Sequence, residues 1–477
     1  MITRTRVVRA IDEAEAAYEN CWNLIRKMKF AQFNETFAAE FFEFQPVLCQ
    51  GMMQLERLYS QIAQEKRSLI RRKQALSARW FGRRMKTLDA HADSLTQMLS
   101  IGKVIGDGFA WIFYQHEPEL LDEHHKHQRT FHLPTGLGGL GELEFIKNRV
   151  VPPQLAKHLI IYHGTTSYLR LGDVSFIDMT SRKVVAIGEL KTTKLDDDHI
   201  SVTVVLLGKE RLRETLGPKP PPSPDPQRAP RLSPEIVQRL RQQVSNIHSA
   251  FTNSQKRPDR ELVHHSKRTY IEDLIALANT INAAAASYRK AGDGMLLVGL
   301  KFKESKLSSR LCAPSRFKTN RLLKHFGKEV SAIVDEARHD NSAIVGSLVY
   351  TAGSEYSLMQ GMTPFLWWPI DVDFMRSVLF QEVVVFNVFN HIHLLKRLET
   401  LGFTVHRDGK SRDYRITKRD GDKVLELVAL PFYFSMIQKY LFSEDTVIEI
   451  IEKVLEQIHT TNFDRDALIQ FNFRQIL

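Results

Sequence analysis

Residues 171–193 read LGDVSFIDMTSRKVVAIGELKTT, two short apolar runs rich in β-branched residues on either side of a polar Thr180-Ser181-Arg182-Lys183 stretch. The runs 174–177 and 184–187 suit two antiparallel strands joined by a hairpin loop. Side chains alternate along a strand, so Glu189 and Lys191 share one face while Leu190 points to the other. If the loop holds an odd number of residues centred on Ser181, Asp173 stands directly across from Glu189. Opposed positions lie about 4.5–5.5 Å apart at Cβ, close enough for two carboxylates to share one cation and close enough to repel without one. The apolar run 184–187 leads straight into Glu189, so these charges emerge at the end of a buried strand, where unpaired charge is costly. Two readings follow: a site for a divalent metal and a phosphodiester, or a structural ion pair.

At 477 residues the chain is too long for one ordinary core, and two to four domains are expected. Apolar residues at 43% and charged residues at 25% are ordinary globular values. No stretch approaches about 18 uninterrupted apolar residues, and Met-Ile-Thr-Arg-Thr-Arg at the start lacks the apolar core of a signal peptide. A cytoplasmic protein with no membrane partner is therefore the expectation. Cys21, Cys49 and Cys312 are too few and too scattered for a disulfide framework or a thiolate zinc site, and are expected to be reduced and buried. A formal charge of +11 favours a polyanionic partner, nucleic acid above all.

Residues 8–115 have almost no Gly or Pro and carry apolar residues three and four apart, as in Leu55, Leu58 and Ile62, which predicts a helical hairpin or bundle. Within it, residues 66–86 hold nine basic residues and no acidic one, with Trp80 and Phe81 among them. This stretch is either a solvated helix face or a phosphate-contacting arm. His116, His124, His125, His127 and His132 then cluster, but without a clean i, i+4 pair bracketing a Glu, and a loop is expected rather than a metal site.

Gly136, Gly138 and Gly141 satisfy G-x-G-x-x-G, yet no strand precedes them, so a dinucleotide fingerprint is excluded in favour of a turn feeding a helix from Glu142 through Ile146 and Val150. Residues 159–162 make a first strand, and 200–206, after the acidic turn 196–198, an additional one. Residues 217–234 hold eight of the eighteen prolines, a linker interrupting its domain. A helix resumes with Ser233 as N-cap and Pro234 at its first position, and Gln243 lies on its apolar stripe. A second helix over 268–290 stopping at Gly292, then a buried strand over 295–300, follow. Residues 301–328 are again basic, nine against one acidic. Beyond lie a helix over 375–398, a hairpin of 403–406 with 414–416 or 424–428, and a helix over 444–458, with Trp367-Trp368-Pro369 read as packing.

The pattern Asp173, a strand-length gap, then Glu189-Leu190-Lys191 resembles the PD-(D/E)xK phosphodiesterase superfamily, the restriction-endonuclease-like fold. Gly172 stands where the family usually has proline. The resemblance implies that Asp173 and Glu189 ligate Mg²⁺ or Mn²⁺, and that Lys191 orients or deprotonates the attacking water and steadies developing charge. It further implies a glutamate on the preceding helix, Glu142 with Glu144 in reserve, although a glutamate at a helix start is equally explained by the dipole. A glutamine near the scissile region would be Gln243, which a satisfied core-edge amide also explains.

Helix, three strands, helix and strand is the family core, and spans about residues 140–302. The fold class expected is thus α/β within an α+β whole: a restriction-endonuclease-like mixed sheet flanked by helices, a helical N-terminal region and a C-terminal α/β region. The boundaries are 1–130, 131–305 and 306–477, and the N- and C-terminal regions are where a second copy or a partner protein would assemble. The function implied is a Mg²⁺-dependent nuclease acting on DNA, in a setting such as bacterial defence against foreign DNA, the last by analogy of fold. Two alternatives stand: a catalytically inert nucleic-acid-binding or assembly protein with the same fold, and a structural interaction protein whose basic helices bind a protein or membrane surface.

Overall fold

The computed structural model describes residues 1–30, 35–127, 132–133, 136–148, 158–194, 200–208, 234–254, 261–264, 269–302, 306–311, 315–338, 343–347, 362–407, 414–421, 423–427, 430–460 and 473–476. The acidic triplet at 196–198, the proline-rich residues 217–233 with the Ser233 cap, Val150 and Cys312 lie outside the described residues. The fold is of the α+β class.

Three long helices come first, α1 (Arg4–Phe30), α2 (Glu35–Arg71) and α3 (Ala78–Tyr114), where the three-and-four spacing expects them. Ser77 starts α3, its hydroxyl accepting from the Trp80 amide at 3.3 Å. From Leu95 onward α3 is buried almost all round, the mark of a central helix rather than a surface one. The histidine-rich stretch differs from expectation: α4 (Pro118–His125) takes in part of it, with His124 and His125 in its last turn, Pro118 pre-set for the first helical position and Glu119 favoured in the first turn. Next, α5 (Leu137–Asn148) begins at Leu137 rather than at Glu142, so Gly138 and Gly141 are inside the helix and Gly136 precedes it. At Gly141 the use is close approach. A Cβ on Gly141 would lie 2.0 Å from Thr192 Oγ1.

The sheet that carries the hairpin is β1 (Leu159–Tyr162), β2 (Val174–Asp178), β3 (Lys183–Lys194) and β4 (Ile200–Gly208), in that order. It is antiparallel throughout, not mixed. The strand expected as an addition takes the fourth place, because nine consecutive pairs of β3 with β4 leave nothing else beside β3 on that edge. At the other edge the Tyr162 amide donates to Gln45 Oε1 of α2 at 3.1 Å, which satisfies a group that no further strand pairs among the described residues. Helix α6 (Pro234–Ser254) reaches Glu189, whereas α5 sits on Thr192. Positions 189 and 192 have opposite parity, so the two helices cover opposite faces.

The second half of the chain builds β5 (Glu261–His264), α7 (Ile271–Ala283), β6 (Ala286–Ala291), β7 (Met295–Lys301), α8 (Leu307–Leu311), α9 (Ser315–Arg338), β8 (Ala343–Ser347), α10 (Val372–Leu379), β9 (Val383–Asn390), α11 (Ile392–Thr400), β10 (Thr404–Arg407), β11 (Tyr414–Asp420), β12 (Lys423–Leu427), α12 (Leu430–Tyr440), α13 (Glu444–Thr460) and β13 (Phe473–Ile476). Three expectations are corrected here. The run 295–300 is a buried strand, but it belongs to a separate antiparallel sheet of order β6-β7-β9-β8 and not to the hairpin's sheet. The helix over 268–290 stops at Ala283, since Ser287 and Tyr288 pair with β7 across the Gly292–Gly294 turn and that pairing outweighs the helical preference of the alanines. The helix over 375–398 is broken by β9, where the β-branched Val383-Val384-Val385 enters the centre of that sheet. Both alternatives for the late hairpin are realised together as the meander β10-β11-β12.

One contiguous set of buried side chains runs from α1 through the hairpin's sheet to α13. The Trp367-Trp368 pair packs as expected: Trp368 is fully buried, and Trp367 Nε1 donates to Gly108 O of α3 at 2.8 Å. Arg376 bonds Glu19 of α1 and reaches Glu382 at 2.9 Å. Cys21 and Cys49 are buried free thiols that burial pushes up to about 12, hence unreactive. No helix among the described residues is long and apolar enough to cross a membrane.

Candidate active site

The loop between β2 and β3 holds four residues, 179–182, with Arg182 in the left-handed region at φ 56, rather than the odd number that symmetry about Ser181 requires. Near the tip, Ile177 therefore pairs with Val184 and Asp178 with Lys183. A bulge between Phe176 and Ile177 then shifts the register, so that Phe176 faces Ala186 and Val174 faces Gly188. Asp173 and Glu189 come next along that ladder. The Asp173 amide donates to Gly188 O at 2.8 Å and its carbonyl accepts from the His163 amide at 2.8 Å, which fixes its backbone from both sides.

Glu189 is only 4% exposed. Burial pushes its carboxyl above the usual range and the Asp173 charge adds to the rise, while Lys191 and Gln243 act against it. Lys191 Nζ donates to Glu189 Oε1 at 2.7 Å, and Gln243 Nε2 donates to the same oxygen at 2.7 Å. Asp173 Oδ2 accepts from the Leu190 amide at 2.9 Å. Gln243 Oε1 is buried with no partner among the described residues. The structure thus brings together Asp173, Glu189, Lys191 and Gln243 on one face of the sheet.

Gly172, just before Asp173, occupies a position closed to proline. Its φ is +70, which a pyrrolidine ring fixed near −65° cannot adopt, and a Cβ there would lie 2.6 Å from Ile187 Cγ2.

Glu142 sits elsewhere in its interactions. Its carboxylate accepts from the Tyr162 hydroxyl and its charge bears on the Cys49 thiol, while the charges acting on Glu189 are those of Asp173 and Lys191. Glu144 faces Lys147 at 3.9 Å, half exposed. Nor do the histidines assemble as ligands: His132 bonds Glu56 at 2.9 Å, and His124 is wholly buried against Tyr114. Among the described residues no group of three or more His, Cys, Asp or Glu is arranged to hold a metal ion.

The donor set at the hairpin is therefore two carboxylates. That number fits Mg²⁺, which commonly takes one or two protein carboxylates and completes its shell with water and substrate phosphate. Burial first and the Asp173 charge second raise the Glu189 carboxyl, and a divalent cation between the two carboxylates would favour its ionised form.

Within the basic stretch 66–86, not every cation faces outward. Arg84 bonds Glu65 at 2.9 Å and Ile2 O at 2.8 Å, and Lys66 reaches Asp89 at 2.5 Å. Trp80 is exposed. In the second basic stretch, Arg310 is buried and donates to Phe380 O at 2.9 Å, a structural role.

Comparison with family models, with curated proteins and with solved structures found no match. The site must be read from its own residues.

Sequence reasoning missed three further residues and read a fourth, His124, only as part of a histidine-rich loop. Tyr114, His124, His163 and Ser175 form a buried polar cluster beneath Asp173, and the available signal was Ser175, a polar residue flanked by Val174 and Phe176 in a strand buried on both faces.

Proposed function

We propose that this chain is a Mg²⁺-dependent nuclease that hydrolyses phosphodiester bonds of DNA, built on a restriction-endonuclease-like core comprising α5, β1 to β3 and α6. The observation that carries this reading is the juxtaposition of Asp173 with the buried Glu189, whose oxygen is held by Lys191 and Gln243 at 2.7 Å each. The antiparallel β4 is a departure from that core.

Asp173 and Glu189 would hold the cation, which when bound supplies Lewis-acid polarisation of the phosphate and an acidified water. The remaining roles belong to the chain. Lys191 orients or deprotonates the attacking water and offsets charge that develops on the phosphoryl oxygens. Gln243 fixes the rotamer of Glu189 through its Nε2, and its Oε1 is left to accept a hydrogen bond from a water in the site. The basic residues of 66–86 support binding of the phosphate backbone. Defence against foreign DNA is the setting we favour, on analogy of fold alone.

One observation favours the inert alternative: Leu190 N–H, Lys191 and Gln243 already satisfy an oxygen of each carboxylate. The two readings separate on one experiment. Plasmid and linear DNA are incubated with Mg²⁺ or Mn²⁺ and the wild type, Asp173→Ala or Lys191→Ala. The nuclease reading expects cleavage by the wild type alone; equal cleavage by all three, or none by any, rejects it.

A further inference from the structure

Tyr114 ends α3, His124 lies in α4, His163 follows β1 and Ser175 lies in β2, and all four side chains are fully buried. Their hydrogen bonds have only one consistent direction. The backbone amides of Arg170 and Leu171 both donate to His124 Nδ1, at 3.1 and 3.0 Å, so that nitrogen carries no proton. The proton is then on His124 Nε2, which donates to Tyr114 Oη at 3.2 Å. Tyr114 has one hydrogen left to give, and Ser175 Oγ lies 2.6 Å away. At the other end, His163 Nδ1 is 3.0 Å from Gly172 O, a group that can only accept, so Nδ1 carries the proton and Nε2 is an acceptor. Ser175 therefore donates to His163 Nε2 at 2.6 Å. Both ends of the chain close on residues 170–172, the segment that delivers Asp173.

We infer that the buried relay His124–Tyr114–Ser175–His163 is a positioning device that grips residues 170–172 from both sides and thereby sets the Asp173 carboxylate against Glu189. Its importance for metal binding rests on the nuclease reading; its existence does not. Asp173 lies one residue before β2 and Ser175 is the second residue of that strand, so the relay holds the chain on both sides of Asp173, at Gly172 O and at Ser175 Oγ. The His163 backbone adds a second hold, its amide donating to Asp173 O at 2.8 Å. A side-chain network in which every member is satisfied in one sense only has a single low-energy arrangement, and so rigidifies what it holds. Partners of this kind behind a metal ligand commonly change metal affinity or activity by about 10- to 100-fold when removed.

The first test reads tautomers and needs no activity. Long-range ¹H–¹⁵N correlation spectra of the full-length protein with ¹⁵N-labelled histidine, assigned through His124→Asn and His163→Asn, are expected to show two opposite neutral tautomers. His124 should be protonated at Nε2 and His163 at Nδ1; an Nδ1 proton on His124, or the same tautomer on both rings, overturns the relay.

The second test uses Tyr114→Phe, which removes one oxygen from the middle of the chain. Hydrogen exchange at the Asp173 and Leu190 amides is expected to accelerate about tenfold. The Mn²⁺ concentration for half-maximal cleavage is expected to rise about tenfold with the KM for DNA unchanged. Trp367→Phe, which deletes a part-buried bond to Gly108 O elsewhere, is the control that lowers stability without moving either quantity. Unchanged exchange in Tyr114→Phe overturns the positioning role whether or not the wild type cleaves DNA. Wild-type protein that neither binds Mn²⁺ nor cleaves DNA, with the expected tautomers and exchange, would instead sink the nuclease reading and leave the relay standing.

Discussion

Gly172→Ala isolates the residue on which the placement of Asp173 turns, and its cost has two separable parts. The backbone there has φ +70, where an L-residue with a Cβ is disfavoured by about 1–2 kcal/mol. The new Cβ would also lie 2.6 Å from Ile187 Cγ2 and 3.0 Å from Gly188 O, an overpacking that costs about 1–3 kcal/mol. The sum is about 2–5 kcal/mol. Ile187→Ala, a truncation at a fully buried position, costs about 2–5 kcal/mol by itself but removes the colliding methyl. The double variant should therefore be more stable than additivity requires by about 1–3 kcal/mol, while the φ cost persists. Urea unfolding followed by circular dichroism measures all four corners of the cycle. Gly172→Pro should be worse than Gly172→Ala, because proline excludes positive φ. A Gly172→Ala cost below about 0.5 kcal/mol, or a coupling within about 0.5 kcal/mol of zero, would refute the account of this turn.

Other substitutions probe the surroundings. Because the folded-state pKa of Glu189 is raised, the folded protein binds more protons than the unfolded chain, and stability falls as pH rises from its ordinary 4.5 through the raised value. Glu189→Gln should accordingly melt higher than wild type at pH 8, lose that advantage below pH about 4 and abolish cleavage, and Mg²⁺ should raise the melting temperature of the wild type only. Gly141→Ala should destabilise by about 1–3 kcal/mol despite the better helix propensity of alanine, since its Cβ collides with the Thr192 side chain, and Thr192→Ala should recover only part of the deficit in denaturant titrations because Thr192 Cβ itself lies 2.7 Å away. Replacing Arg71, Arg72 and Lys73 by alanine should weaken DNA binding and flatten the log–log salt dependence by about 0.9 for each phosphate no longer neutralised, as read by fluorescence anisotropy; Arg84→Ala should lower stability instead, through Glu65 and Ile2.

The hairpin was legible because its information is local. A period of two places Glu189 and Lys191 together, and a short polar loop brings Asp173 back to them. The helices α1 to α3 were legible for the same kind of reason, a period sustained over many turns. Sheet membership was not. The apolar run of β7 says strand, yet nothing within it distinguishes β3 from β9 as a neighbour, and the choice is made by the turn at Gly292–Gly294 and by the valines of β9 far along the chain. The alanines before β6 point locally to helix and are overruled by pairing. The Glu142 partner was not legible either, since helix α5 starts at Leu137 and the Glu142 carboxylate accepts from Tyr162, a residue 20 positions away. The relay was invisible because Tyr114 and Ser175 are 61 positions apart and reveal their relation only when α3 packs beside the sheet.

The bulge in the hairpin has one more implication. Two different registers coexist in the same pair of strands, one set by the tip and the other by the site end, with a single unpaired residue absorbing the mismatch. Such a joint works as a slip coupling: lengthening or shortening the tip by a residue can be taken up where the ladder is already irregular, before the change is transmitted to Asp173 and Glu189. The exposed loop residues 180–182 are thus the place where this protein can accept a tag, a fluorophore or natural length variation without turning its two carboxylates to opposite faces.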